Sequence, residues 1–200
     1  MPKIRLASPH DATNMLQIYR PLIENSVISF EFSTPTIEQF AGRIDTVLKR
    51  YPWLVCTWQD TLAGYAYGGP HRRREAYQWS VEWSVYVHEG FQRKGIARAL
   101  YQSLEAILIR QGFRNALAGI TLPNPASVAF HEAYGFTPVG VYRDVGFKQD
   151  AWRSVGWWEK RIGPQHKPPT DPVPLSETVK DPEFHKDLDQ GLSSIKRGAK

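Results

Sequence analysis

Gln92-Arg93-Lys94-Gly95-Ile96-Ala97 is the stretch on which the reading of this chain turns. Ahead of it, residues 79–87 alternate polar and apolar side chains as a β-strand does; behind it, residues 95–110 carry apolar side chains at helical spacing. A strand, a short glycine-containing turn and a helix N-terminus make an anion site. The first helical N–H groups lack intrahelical acceptors, and the helix dipole adds about half a positive charge at that end. A phosphate or pyrophosphate docks there. Arg93 and Lys94 add positive charge beside it. The turn therefore predicts a phosphorylated ligand, and the flanking sequence must say which one.

Outward from the turn, the N-terminal half begins with a short strand at residues 3–7. Asp11 or Thr13 caps a helix on which Ala12, Met15, Leu16 and Tyr19 recur, and Pro21 predicts a kink or break in it. Thr36 caps a second helix with Ile37, Phe40, Ile44, Val47 and Leu48 on one face. Residues 53–58 and 62–67 read as a hairpin about Gln59-Asp60. In the other direction, Ile96, Leu100, Leu104, Ile107 and Leu108 face inward on the long helix, which Gly112 stops. A buried strand at 116–122, a short helix at 125–134 ended by Gly135, and strands at 137–142 and 155–160 follow. This order predicts a mixed α/β domain over residues 1–162, its sheet flanked by helices. Beyond it the Pro-rich, aliphatic-poor segment GPQHKPPTDPVPLSETVKDPEF predicts that residues 163–200 form a disordered tail.

Composition bounds the function classes. With 42% hydrophobic residues, 7 Trp, 9 Tyr and 9 Phe, the 200-residue chain can bury a real core. Its net charge of +5 suits an anionic cofactor as well as nucleic acid, so charge alone does not choose. The basic residues gather in one short loop without repeated aromatic interleaving, which argues against a nucleic-acid partner. A single cysteine, Cys56, excludes a disulfide framework and a cysteine zinc cluster; it reads as a small buried hydrophobe, and no metal is expected. The N-terminus has no apolar signal region, and no run approaches the roughly 20 apolar residues of a membrane span. A soluble, cytoplasmic protein without a membrane partner is expected.

The strand before the turn carries the chemistry. Tyr77, Trp79, Val81, Trp83, Val85 and Val87 form one face; Gln78, Ser80, Glu82, Ser84, Tyr86 and His88 form the other. A central strand in a mixed sheet is covered on both faces, so Glu82 is either a solvated carboxylate or an enclosed one whose desolvation raises its pKa toward that of a general base. Trp79 and Trp83 read as packing residues.

Two segments decide between these readings. Glu82, Val85-Tyr86-Val87, then Gln92-x-x-Gly95-x-Ala97 and a long helix resemble the acetyl-CoA-binding core of the GNAT superfamily of N-acetyltransferases. Downstream, Asn124-Pro125-Ala126-Ser127-Val128-Ala129-Phe130-His131-Glu132-Ala133-Tyr134-Gly135-Phe136 resembles that superfamily's Asn-x-x-Ala-x-x-x-Tyr-x-x-x-Gly-Phe segment, with Ser127 in place of alanine and His131 where many members place a tyrosine general acid. Three longer stretches, GPHRRREAYQWSVEWSVYV, LPNPASVAFHEAYGF and VGFKQDAWRSVGWWEK, look like the phosphinothricin and methionine sulfoximine N-acetyltransferases, from about residue 4 to residue 160. One departure is Trp152-Arg153-Ser154-Val155, where that family has Trp-x-Asp-Val.

The resemblance implies a mostly antiparallel, twisted sheet of six to seven strands splayed at its centre, and a homodimer. It implies acetyl-CoA as co-substrate, held by the main chain of Val85, Tyr86 and Val87, by Arg93, Lys94, Gly95, Ile96, Ala97 and Arg98, and by Asn124 at the pantetheine arm. Glu82 takes the role of general base, and His131 assists proton transfer or positions the acceptor; Tyr134 either reaches the departing thiolate or belongs to the core. Arg72 and Arg74, Tyr77 and the aromatic Phe30 align with the family's acceptor pocket. The expected reaction is direct acetyl transfer to the amine of a small amino acid or analogue. An acetyltransferase for another amine, such as a polyamine or a protein N-terminus, and a non-catalytic acetyl-CoA-binding module are the alternatives. The arginine loop disfavours a polycation.

Overall fold

A computed structural model describes residues 1–164 and 168–196. Seven strands form one sheet in the order β1-β2-β3-β4-β5-β7-β6, from β1 (Lys3–Leu6), β2 (Trp53–Trp58), β3 (Thr61–Pro70), β4 (Ser80–Val87), β5 (Asn115–Leu122), β6 (Thr137–Lys148) and β7 (Ala151–Arg161). Every neighbouring pair is antiparallel except β4 and β5. The expected mixed, mostly antiparallel sheet is what forms.

Period-two alternation sorts the side chains into two layers. On β2, Trp53 and Val55 pack with Met15, Leu16, Phe40 and Ile44 of α1 (Ala12–Glu24) and α2 (Ile37–Leu48). Leu54 and Cys56, one residue out of phase, pack on the other side with Leu100, Leu104, Ile107 and Leu108 of α3 (Ile96–Gln111). Cys56 is fully buried, and burial pushes its thiol pKa up to about 12, as the reading of a small hydrophobe requires. Thr36 caps α2 as expected, its hydroxyl accepting from the Gln39 N–H while the Gln39 side chain accepts from the Thr36 N–H. Pro21 does not break α1. It lies in the last turn, where the missing N–H removes one ladder bond three residues before the helix ends.

Two hairpins turn on the same dipeptide. Gln59-Asp60 joins β2 to β3, and Gln149-Asp150 joins β6 to β7; all four residues have positive φ, between 51° and 60°. The second hairpin is longer than the sequence reading allowed, because its strands run through 137–148 and 151–161. Arg143, Asp144, Lys148 and Arg153 interrupt the apolar pattern there, so residues 143–154 carry no strand signal in the sequence.

The largest departure is at the C-terminus. The described part of the expected disordered tail is folded along α3, as α5 (Leu175–Thr178) and α6 (Phe184–Asp189); residues 165–167 and 197–200 lie outside the described residues. Leu175, Phe184, Leu188 and Ile195 are buried in the same core as α3. Arg110 of α3 pairs with Asp181 at 2.9 Å and with Asp187. Ser103 donates to the Leu188 carbonyl at 2.7 Å and accepts from the Gly191 N–H at 3.2 Å. Trp79 Nε1 donates to the Thr170 carbonyl at 2.7 Å. The disorder argument weighed average composition; a few well-spaced apolar residues suffice when an apolar helix flank waits for them.

Candidate active site

The site begins where two strands part. β4 and β5 pair at only three positions, Ser80↔Asn115, Val81↔Ala116 and Glu82↔Leu117, while β5 continues alongside β7 to Leu122. Glu82 therefore stands at the last paired rung of the fork. Beyond it lies a cleft lined by Trp83, Val85 and Tyr86 from β4 and by Ile120 and Thr121 from β5, with Tyr101, Asn124 and His131 at its walls.

The main chain of β4 is aimed into this cleft by the register alone. Tyr86 opposes Tyr65 and Val87 opposes Gly64, and the His88 N–H donates to the Ala63 carbonyl at 3.0 Å. Opposed residues in an antiparallel ladder alternate between exchanging both hydrogen bonds and exchanging none. Tyr86 thus spends its amide on Tyr65, whereas the N–H groups of Val85 and Val87 turn toward the edge that β5 has vacated. Of the three expected main-chain contributors, Val85 and Val87 offer donors and Tyr86 does not. The Tyr86 ring instead packs on Tyr19 and Tyr65.

Glu82 has a partner the sequence did not reveal. His71 Nδ1 lies 2.9 Å from Glu82 Oε1, and the His71 ring is set by edge contacts to Tyr77 and Trp157 at 5.8 and 5.7 Å. Burial raises the Glu82 pKa above the ordinary glutamate range, against the hydrogen bond and charge of His71 and the charge of Arg72, which lower it. In the sequence His71 is only the first residue of a basic loop. The register Gly69↔Glu82 and Pro70↔Val81 is what brings the end of β3 beside the carboxylate.

His131, on α4 (Pro125–Ala133), is buried. Its Nδ1 lies 2.8 Å from the Ser127 carbonyl, which only accepts, so Nδ1 carries the proton. Nε2 then accepts from the Tyr101 hydroxyl at 3.0 Å. Burial lowers the His131 pKa, consistent with a neutral ring. Tyr101, read only as part of a helix, is thus a cleft residue held by His131. Tyr134 belongs to the core side: its hydroxyl donates to Glu105 at 2.8 Å, and the Lys160 ammonium lies 4.4 Å from its ring centre.

Gly95 caps α3 at φ +85°, and the first helix bond runs from the Ala99 N–H to the Gly95 carbonyl at 2.9 Å. The N–H groups of Ile96, Ala97 and Arg98 precede that bond and line, with Val87 and Arg93, a cavity of 470 Å³. The cations differ in their engagement. Lys94 donates to the Gly90 carbonyl at 2.9 Å and sits 4.9 Å from the Phe91 ring centre; Arg98 donates to the Ala133 carbonyl at 3.0 Å and lies over Tyr134. Arg93 is exposed. Asn124 caps α4, its Oδ1 accepting from the Ser127 N–H at 3.1 Å, with the residue in the cleft wall. Edge-facing amides on β4 and a helix N-terminus beyond them fit a ligand with a carbonyl at one end and phosphates at the other.

On the His71 side of Glu82, Arg72 donates to the Tyr142 hydroxyl at 3.0 Å and lines a cavity of 320 Å³ with His71, Tyr142 and Trp157. Tyr77 and Arg74 are exposed at the short turn that follows, Tyr77 against His71. Phe30 is not in the cleft wall: its ring packs on Gly146, and Ile28 lines the cleft instead. The buried Lys148 ammonium fixes that loop by donating to the Ile23 and Ser29 carbonyls at 2.7 Å each. Ser154 lacks the family's carboxylate, but Asp144 lies across the hairpin, its N–H donating to Ser154 Oγ at 3.1 Å. Among the described residues no group of three or more His, Cys, Asp or Glu is placed to hold a metal, and no helix is long and apolar enough to cross a membrane.

A sheet that forks at a carboxylate, with a helix N-terminus capping the fork, defines an acyl-CoA-type transferase site. Residues 4–157 match the acetyltransferase (GNAT) domain, and the chain belongs to that family of acetyltransferases. It is 38% identical over 158 residues to the phosphinothricin N-acetyltransferase of Streptomyces viridochromogenes, covering 79% of this chain and 86% of that protein. It is 30% identical to the L-methionine sulfoximine/L-methionine sulfone acetyltransferase of Salmonella typhimurium, covering 80% of this chain and 94% of the other. A crystal structure of a GNAT superfamily phosphinothricin acetyltransferase from Sinorhizobium meliloti in complex with AcCoA superposes with a TM-score of 0.79 at 31% identity, over 86% of this chain and 93% of that one.

Proposed function

We propose that the chain moves an acetyl group from acetyl-CoA to the amine of a small amino acid or analogue of the phosphinothricin or methionine sulfoximine type. The observation that carries this reading is Glu82, half-buried at the last rung before the fork, with the His71–Arg72 cavity on one side and the free amides of Val85 and Val87 on the other.

Acetyl-CoA supplies an activated thioester. The acceptor must attack as a neutral amine, because an ammonium has no lone pair, and aliphatic amines are mostly protonated at neutral pH. Glu82 takes that proton. The Val85 and Val87 N–H groups stabilise the negative charge that develops on the carbonyl oxygen as nitrogen bonds to carbon. The carbon–sulfur bond then breaks, and the leaving thiolate is neutralised by the proton that the acylated nitrogen releases; Tyr101 lines the cleft with its hydroxyl proton committed to His131. His131 acts as the holder of Tyr101, since its own two ring nitrogens are occupied. Cys56 is buried away from the fork, so transfer is direct. Arg72, with Tyr142 and Tyr77 near it, binds the acceptor's anionic group; Arg74 contributes field. The same arginines disfavour polyamines.

A homodimer belongs to this reading. The outermost strand β6 leaves Val139, Val141, Val145 and Phe147 about half exposed, an apolar set that a second copy of the chain would cover.

The test is a panel of acceptors with acetyl-CoA: phosphinothricin, methionine sulfoximine, the proteinogenic amino acids, spermidine and a peptide N-terminus. Turnover is expected with the anionic amino acids. Preference for spermidine or the peptide would replace the acceptor class, and CoA binding without turnover of any amine would leave a non-catalytic binding module.

A further inference from the structure

The matched domain ends at residue 157, yet the chain folds on and returns to the cofactor turn. After α6, Gly191 crosses α3 so closely that a Cβ there would collide with the Ala99 carbonyl. Ser194 Oγ donates to Gln102 Oε1 at 2.5 Å, and Ile195 is buried in the core. The Lys196 N–H then donates to the Lys94 carbonyl at 3.0 Å, inside the turn itself. The Ser194 carbonyl rests against Gly95, where any side chain would strike it. Gly95 is therefore required twice, by its left-handed φ and by the approach of the C-terminal segment.

Two cavities flank the turn, of 470 and 580 Å³, and Arg93 and Lys196 stand in the lining of both. Lys94 and Arg98 are engaged with carbonyl oxygens and aromatic rings, as described above. Coenzyme A carries a diphosphate and a separate phosphate monoester, and Lys196, beside Arg93 in the lining of both cavities, adds a cation to those the turn itself presents.

We propose that the C-terminal segment 191–196 is a wall of the coenzyme site and that Lys196 supplies a cation to the coenzyme's phosphates, an addition to the family's own binding turn. This rests on the acetyl-CoA reading above. The segment is anchored by Ile195 and by its main chain, so the exposed Lys196 side chain varies without disturbing the fold.

The experiment is calorimetric titration of the full-length chain with coenzyme A and with dephospho-coenzyme A, for the wild type, Lys196→Glu and Lys196→Arg. Lys196→Glu should weaken coenzyme A binding by about five-fold or more at low salt, with a smaller ratio at high salt and an unchanged melting temperature; Lys196→Arg should bind as the wild type does. A loss that persists with dephospho-coenzyme A assigns the contact to the diphosphate, and a loss that vanishes assigns it to the monoester. Unchanged binding by Lys196→Glu overturns the proposal, and tighter binding overturns it too, because the segment would then compete with the ligand. A wild type that binds no coenzyme A would instead remove the acetyl-CoA reading itself.

Discussion

A single carboxylate carries the chemical argument, and its environment makes the argument quantitative. Removing the charge while keeping the shape, as in Glu82→Gln, should lower kcat by about 10²- to 10⁴-fold, the usual share of a general base. Coenzyme A affinity should stay within about two-fold, because the phosphate turn is untouched. Equal losses in rate and affinity would mark Glu82 as structural. The partner His71 sets the pH at which the base works. Activity requires the ionised carboxylate, so kcat/KM falls as pH drops through the Glu82 pKa. Burial raises that pKa and His71 pulls it down; in His71→Phe only the burial and the more distant Arg72 remain. The acid limb of the kcat/KM profile should therefore move to higher pH. A limb that stays or moves down would show that the His71 contact does not govern the base. Glu82 was legible from strand alternation and motif position. His71 and Tyr101 were not, because each gains its role from a contact across 11 and 30 residues of chain.

Among the elements, α3 is the one through which fold and site are coupled. Its N-terminus makes the phosphate turn, its apolar side closes the core, and its far flank receives α5 and α6. Phe184 is buried in that contact. Phe184→Ala should cost about 3–5 kcal/mol of stability, read from denaturant unfolding, if the C-terminal helices are part of the cooperative unit. A change under about 0.5 kcal/mol, the range of ordinary surface substitutions, would mean that they are not. Helix ends were readable at Thr36, Gly95 and Gly112 because caps are local chemistry. The β6–β7 turn was missed where its neighbour at Gln59-Asp60 was recognised. The first follows the nearly unbroken apolar run of β2, while charged residues from Arg143 to Arg153 interrupt the pattern on both sides of the second.

For the molecule as a whole, the sheet has one weak seam and two edge strands, β1 and β6. The seam is the three-rung β4–β5 pairing, and it is where the site lies. Of the two edges, β6 carries the exposed apolar side chains, and the dimer reading depends on it. Analytical ultracentrifugation should find a dimer at micromolar concentration. Val141→Lys, which places a charge on that half-exposed edge, should shift it toward monomer without loss of secondary structure. A monomeric wild type would remove the dimer reading and leave β6 as a solvated edge.

The sequence by itself determined the class of sheet, the phosphate turn, the candidate base and the family, because each is written in short-range patterns: alternation, caps, a glycine at a helix start. Only the tertiary structure decided which amides of β4 are free, which residue supports Glu82, that Ile28 rather than Phe30 lines the cleft, and that the C-terminal segment folds back onto Gly95. The physical reason is the same in each case. A hydrogen-bond register and a buried contact between distant segments depend on how the layers stack, and no local pattern encodes that distance.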